Sequence, residues 1–366
     1  MLLRPLNELS LTLQIKAESP LLIKEGRYTE TEKDHWSNRK IQERVGNQQG
    51  DQADRRRREI KAGFPSAIPI SRNSLDEIET AVMDDQRIDK VDGLRFYLPG
   101  SSIRGAWRSH LERWLRGFAP EEPRICDPFE DRKENEYYAC SQYLSKRKTP
   151  VPAYANSCPV CRLFGSTGQS SRIAISDADR ITVDGQKTGR IVSREHINIQ
   201  RHNQQVKPRP GPFKFFALQD AQFVLNVKLR NFELIQLALV TEAARAMWEQ
   251  RIWLGSGKNK GYGAVTLTAF TSKLTHFGKD EPPAKLMGIA EHPSCDAAMR
   301  ARYQLAASPS PALPQRVKWT GETLWRWSAD LTHIELMQIA DEIMQGVESS
   351  WPNREKLADR PKEPIA

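Results

Sequence analysis

Four cysteines fall in one stretch of the chain: Cys126, Cys140, Cys158 and Cys161. The last two form Cys158-Pro159-Val160-Cys161, a spacing that lets two thiolates grip one tetrahedral ion. With Cys126 and Cys140 returning from a loop, the set suits a closed structural zinc site. A redox role lacks the thioredoxin-like strand-helix setting. Cys295 lies far away and reads as a lone thiol.

A second stretch runs Gly255-Ser256-Gly257-Lys258-Asn259-Lys260-Gly261-Tyr262-Gly263. Backbone without Cβ atoms can lie close to a ligand, and two ammonium groups beside it suit phosphate. Two familiar phosphate loops are excluded. Lys260 stands where the dinucleotide fingerprint needs glycine, and Asn259 follows Gly257-Lys258 where the Walker loop needs Ser or Thr. A plain basic turn remains the alternative.

The loop must be held by its neighbours. Glu233 to Leu254 reads as a helix with one apolar stripe, and Ala264 to Phe270 as a strand. Upstream, Leu11 to Lys16 alternates like a half-buried strand, and Pro20 to Ile23 continues it. Residues 26–63 are polar and read as a mobile insertion with one helical piece, including Arg55-Arg56-Arg57-Arg58. Gly93 to Leu98 predicts a short strand. Ser101 or Ser102 then caps a helix from Ile103 to about Phe118, with Arg104, Arg108, Arg113 and Arg116 outside its apolar face. Free backbone N–H groups at such a cap, beside arginines, suit a phosphate cradle, and an ordinary capped amphipathic helix is the alternative that these residues alone favour. Arg172 to Ala178, Phe213 to Leu218 and Gln222 to Lys228 predict strands. Between them, 194–212 is basic and broken by Pro208, Pro210 and Pro212, so it reads as a protruding arm. Residues 273–315 are linker-like. In 316–366, Trp319, Trp325 and Trp327 read as packing a tail onto the core ahead of a helix from about Asp330 to Val347.

The 366 residues hold 55 Lys and Arg against 46 Asp and Glu, a formal charge of +9 that points to a polyanionic partner. Met1 to Lys16 shows no signal-peptide pattern, and no run of ~20 apolar residues could span a membrane. A cytoplasmic, reducing setting follows, in which close cysteines favour a metal over disulfides.

Three motifs now occur in order: Leu98-Pro99-Gly100-Ser101-Ser102-Ile103-Arg104-Gly105, Cys158-Pro159-Val160-Cys161-Arg162-Leu163-Phe164-Gly165, and the Gly255 to Gly263 loop. Together they resemble the RAMP superfamily of CRISPR proteins over about residues 8–272. The nearest likeness is to the Cas-seven backbone subunits of type III and type IV effector complexes. The resemblance implies an α+β, ferredoxin-like (RRM-like) core in 1–272. Its insertions would be the mobile loop 26–63, a zinc-binding segment 119–165 and a thumb hairpin 194–212, with a helical extension at the C-terminus. It also implies a subunit that stacks in copies along a crRNA, beside other effector subunits, and presents the guide to a complementary target. On that basis Ser101, Ser102, Arg104, Arg108, Arg201, His202, Lys207, Arg209, Gly255, Gly257, Lys258, Lys260, Gly261 and Gly263 would hold RNA.

One departure bears on catalysis. Type III relatives cut target RNA with an aspartate just before a Pro-aliphatic segment, which here matches Ser66-Ala67-Ile68-Pro69-Ile70. The aspartate position falls on Ala67, or on Ser66 in a shifted register. That favours a non-cutting, type IV-like subunit with no catalytic residue. Asp34, Asp51 and Asp54 are fallback catalysts for a type III-like endoribonuclease. His35, His196 and His202 are those for a guide-processing ribonuclease. A zinc-stabilised general RNA-binding protein is the reading outside CRISPR.

Overall fold

The computed structural model describes residues 4–24, 38–63, 67–83, 91–117, 125–127, 139–141, 151–197, 199–202, 204–206, 213–305 and 308–350. In chain order its first elements are β1 (Asn7–Ala17), α1 (Asp51–Gly63), α2 (Leu75–Met83), β2 (Tyr97–Leu98), α3 (Gly100–Arg116), α4 (Val151–Ala155) and α5 (Pro159–Phe164). Next come β3 (Ile173–Ile175), β4 (Ala178–Arg180), β5 (Thr182–Val183), β6 (Gln186–Lys187), β7 (Arg190–His196), β8 (Phe213–Gln219) and β9 (Gln222–Arg230). The rest are α6 (Leu234–Trp248), β10 (Val265–Phe277), α7 (Ala297–Tyr303), β11 (Thr320–Thr323), β12 (Arg326–Thr332) and α8 (His333–Ser350).

β1 is the axis. Leu9, Leu11, Leu13 and Ile15 are buried on one face, while Ser10, Thr12, Gln14 and Lys16 are not, as a period of two requires. Phe223, Leu225, Val227 and Leu229 of β9 repeat the pattern. On β10 the buried face shifts phase between Leu267 and Phe270. Ile15 pairs with Leu267 and Gln14 with Ala269, so a bulge takes up Thr268. The chain is thus α+β with a mostly antiparallel sheet, in the order β11-β12-β10-β1-β9-β4-β2, with β3 also on β9. The β7–β8 pair stands apart as its own two-stranded sheet.

α6 packs against both β10 and α8. Every residue from Leu234 to Ala244 is buried, so its surface is apolar nearly all round rather than in the single stripe expected. It also ends earlier than expected. Gln250 takes φ 57°, and Arg251 N–H returns to the Ala246 carbonyl, turning the chain out of the helix.

The C-terminal region differs most from the expectation. Arg326–Thr332 is a strand paired with β10, and the last helix begins only at His333. Ala329 and Leu331 point into the main core, which explains the strand. The sheet therefore continues past residue 272 instead of ending there. Trp319 packs against the core and Trp327 is half-buried, but Trp325 is 58% exposed in the β11–β12 turn.

His276, buried on β10, stacks on His292 with ring centres 4.6 Å apart. Burial, then the neighbouring His292, pushes its pKa from 6.5 down to about 4. The unfolded chain takes up that proton first. This histidine's contribution is therefore complete above pH 6.5 and is lost as pH falls to about 4. Urea midpoints should drop across that window by a pH-dependent loss of up to about 3 kcal/mol. His276→Gln should flatten that part of the curve; identical pH profiles for the two proteins would contradict it.

Candidate metal centre and nucleic-acid interface

α5 builds half of the cysteine cluster. Cys158 is its N-cap, and the Cys158 sulfur accepts the Cys161 N–H at 3.4 Å. Cys158 N–H donates in turn to the Cys140 sulfur at 3.3 Å. The Cys126 sulfur lies 3.6 Å from that of Cys161 and 3.7 Å from that of Cys158. All four Sγ atoms fall within 4.8 Å of one another, buried and free of disulfides. Tetrahedral bonds of ~2.3 Å put sulfurs ~3.8 Å apart, so this donor set fits one ion and is compatible with structural zinc. The thiols shift one another in opposite directions, Cys126 downward and Cys158 and Cys161 upward. Hydrogen bonds to Cys126 and then Cys140 push Cys158 and Cys161 above the usual thiol range. A divalent cation would reverse that preference.

α3 faces this cluster. Arg104 donates to the Phe164 carbonyl. Arg108 spans the Glu112 carboxylate at 2.8 Å, the Gly165 carbonyl at 3.1 Å and the Cys161 sulfur at 3.3 Å. Arg116 donates to the Cys126 carbonyl at 2.8 Å. Arg104 and Arg108, both expected to hold RNA, each aim guanidinium donors at the cysteine segment. The cap is revised. Pro99 is the N-cap, with Ser101 and Ser102 inside the first turn and no side-chain cap bond. Gly100 N–H is taken by the Asp177 carboxylate at 2.9 Å, and Arg72 pairs with that same carboxylate and with Asp179. The chain thus supplies its own anion to this helix end.

The glycine loop docks on the segment after β1. Ser256 N–H bonds the Leu22 carbonyl at 2.7 Å and Gly263 N–H the Pro20 carbonyl at 2.9 Å. A Cβ on Gly255 would collide with Leu22, and one on Gly263 with Leu254, so these two glycines serve close approach of the chain to itself. A Cβ on Gly261 would meet nothing. Gly257 and Gly261, both left-handed, bracket a single 3-10 turn, Lys258–Lys260, whose lysines are exposed. Partial burial, then the Arg113 charge, lowers the Lys258 pKa. Arg113 is exposed on α3, so it and Lys258 form a basic patch between helix and loop.

Beside the loop stands the root of the β7–β8 arm. His196 Nε2 lies 2.7 Å from the Tyr262 hydroxyl. The His196 ring stacks on Phe213 and leans on Phe215 and Tyr262. Lys260 lies 4.6 Å from the Phe213 ring centre and Lys24 5.0 Å from that of Phe215. The sequence names His196 and Tyr262 but not their partnership; the alternation Phe213-Lys214-Phe215 beside the loop was the available signal. Further out, Ile199 pairs with Val206, and Arg201 and His202 form an exposed turn. Lys207, Arg209, Asp34, His35 and Ser66 lie outside the described residues. Ala67 is buried beside β8, in a parallel bridge with Phe215, its carbonyl bonded to Phe216 N–H at 2.9 Å. Asp51 and Asp54 are exposed on α1, where Asp54 pairs with Arg57 at 3.1 Å.

A sequence model described as the RAMP superfamily matches residues 14–266, and the chain belongs to that superfamily. It is a CRISPR-associated RAMP protein, a class that suggests an RNA-binding subunit of an effector complex. A search of curated proteins returns no match. Among the described residues no helix is long and apolar enough to cross a membrane.

Lys258→Ala with Lys260→Ala should weaken RNA binding whatever the base sequence, and lower the salt slope of log affinity by about 1 to 2. Titration of unrelated single-stranded RNAs at several salt concentrations checks this; a sequence-selective loss with unchanged slope would count against phosphate contact.

Proposed function

We propose that this chain is a crRNA-binding backbone subunit of a CRISPR effector complex, of the Cas-seven kind. Copies assemble along the guide and leave its bases free to pair with target. The observation that carries this is the continuous strip joining glycine loop and arm. The strip runs from Arg113 and Lys258 through Lys260 and Tyr262 to His196, Phe213 and Lys24. Ammonium groups hold phosphates whatever the base, so the strip, half-buried at His196 and Phe213 with Tyr262 buried within it, suits binding without sequence readout. On this reading β1, β9 and β10 with α3 and α6 are the ferredoxin-like core. Residues 119–165 are the zinc-binding insertion and 194–212 the thumb, reaching the next copy's stretch of guide.

The same reading makes the subunit non-catalytic and favours type IV. In-line attack by a ribose 2′-hydroxyl needs a group to position or deprotonate it. Ala67 offers a methyl group, and that methyl is buried. Holding RNA does not depend on it, so binding and cutting are separable.

Three outcomes test the proposal. Complex assembled on guide RNA should leave complementary target RNA intact. Regularly spaced, magnesium-dependent cuts lost in Asp51→Ala or Asp54→Ala would instead establish the type III-like reading. Deleting 197–212 should leave the monomer folded and abolish periodic nuclease protection of a full-length guide; a retained pattern would refute the thumb. Elemental analysis of protein purified without chelator should find one zinc per chain, and its absence would end the zinc assignment.

A further inference from the structure

Arg104, Arg108, Glu112 and Arg116 follow one another at i, i+4 spacing, which puts them along one side of α3. That side grips both halves of the cysteine cluster. Arg104 and Arg108 hold the turn after Cys161 through the Phe164 and Gly165 carbonyls. Arg116 holds the Cys126 end. Arg113 points elsewhere and is exposed.

We propose that Arg108 is the outer-shell cation of the metal centre, setting its affinity through the Cys161 sulfur. The inference rests on the zinc reading above. Four thiolates around a divalent ion carry a net charge of −2. Buried charge needs a partner. Arg108 supplies one: a guanidinium is always charged, its fork can serve several acceptors together, and with Arg104 and Arg116 on the same side it outweighs the Glu112 charge. Its third contact, at 3.3 Å, is with the Cys161 sulfur itself. The other two, Glu112 and Gly165, fix the fork so that this N–H stays aimed at the sulfur. A hydrogen bond to a ligand sulfur withdraws electron density from it and orients it, and such outer-shell partners govern metal affinity. A clasp of helix to loop would use the carbonyl contact alone and leave the metal's electronic properties untouched.

The test uses the full chain loaded with zinc, and separately with cobalt(II), whose thiolate charge-transfer absorption reports on the sulfurs. Zinc affinity is read by competition with a chelating dye. Arg108→Ala should weaken zinc binding about 10- to 100-fold and shift the cobalt charge-transfer band. Arg108→Lys, which keeps the charge, should recover part of the affinity, and Arg55→Ala, on exposed α1, should match the unmodified chain. Arg108→Gln keeps donors but no charge, and serves if Arg108→Ala does not fold; it too should lose affinity. Unchanged affinity and an unmoved cobalt band in Arg108→Ala or Arg108→Gln would overturn the inference while leaving the zinc reading intact. An unmodified chain that takes up neither ion would overturn the zinc reading, and this inference with it.

Discussion

Four sulfurs packed side by side in a buried space impose the strictest condition on this structure. Their mutual hydrogen bonds disfavour charge on Cys158 and Cys161, so contacts beyond the sulfurs must hold the segment closed. The chain answers with arginines. Arg108 reaches the Cys161 sulfur, and Arg162, one residue after Cys161, is buried against Glu233 at 3.6 Å. Arg162 also donates to the Ser157 and Ala155 carbonyls at 3.1 and 2.6 Å. Glu233 is the N-cap of α6 and forms a capping box with Gln236. The Tyr154 hydroxyl bonds Glu233, Gln236 donates back to Tyr154, and Arg162 and Arg172 lie over its ring. Burial, then the Glu233 charge, drives the phenol's pKa well above its ordinary value, so it remains a donor. Removing one member of such a network leaves a buried charge unpaired, which costs about 3–5 kcal/mol.

The network extends the condition to the far end of the chain. Tyr154 packs in a small cluster with Leu6, Ile289, Ala290, Cys295 and Leu305. Asn7 closes the same corner, donating to the Phe232 and Met287 carbonyls. The segment after β10 is therefore fastened beside the cysteine insertion, and β12 and α8 extend the sheet and cover α6. Cys295 is a packed apolar side chain here, held protonated by burial.

These contacts explain which features could be read in advance. Alternation in β1 and β9 is a local property, and so is the spacing of Cys158 and Cys161. Each survives folding because each depends on a few adjacent residues. The contacts of Arg104 and Arg108 with the cysteine segment were not legible. An arginine on a helix looks the same whether or not it meets a carbonyl 60 or 57 residues away, and only the tertiary path decides. The same holds for Gly255 and Gly263, whose bare backbones lie against Leu22 and Leu254. β12 was hidden for another reason. Its short apolar alternation runs straight into α8, and only pairing with an exposed β10 edge makes it a strand.

Basic residues accordingly divide by place. Arg108, Arg162 and Arg172 are taken up at the cysteine insertion and at Tyr154, whereas Arg113 and Arg201 stay exposed. Lysines with mobile stems stay at the glycine loop and arm root, where Lys258, Lys260 and Lys24 remain in contact with water. That division suits the proposed task. A protein that reads bases needs fixed forks at the interface, whereas one that tracks a backbone needs charge that can shift as the strand passes. The fixed part of this interface is aromatic: the His196–Tyr262 bond joins arm to loop. Burial, then the Lys260 and Arg194 charges, lowers the His196 pKa and keeps the ring neutral. A neutral ring can stay packed against Phe213 and beside two cations, so the arm leaves the surface at an angle set by ring packing. The charge that would meet RNA stands around that root, with Lys260 over the Phe213 ring and Lys24 over that of Phe215.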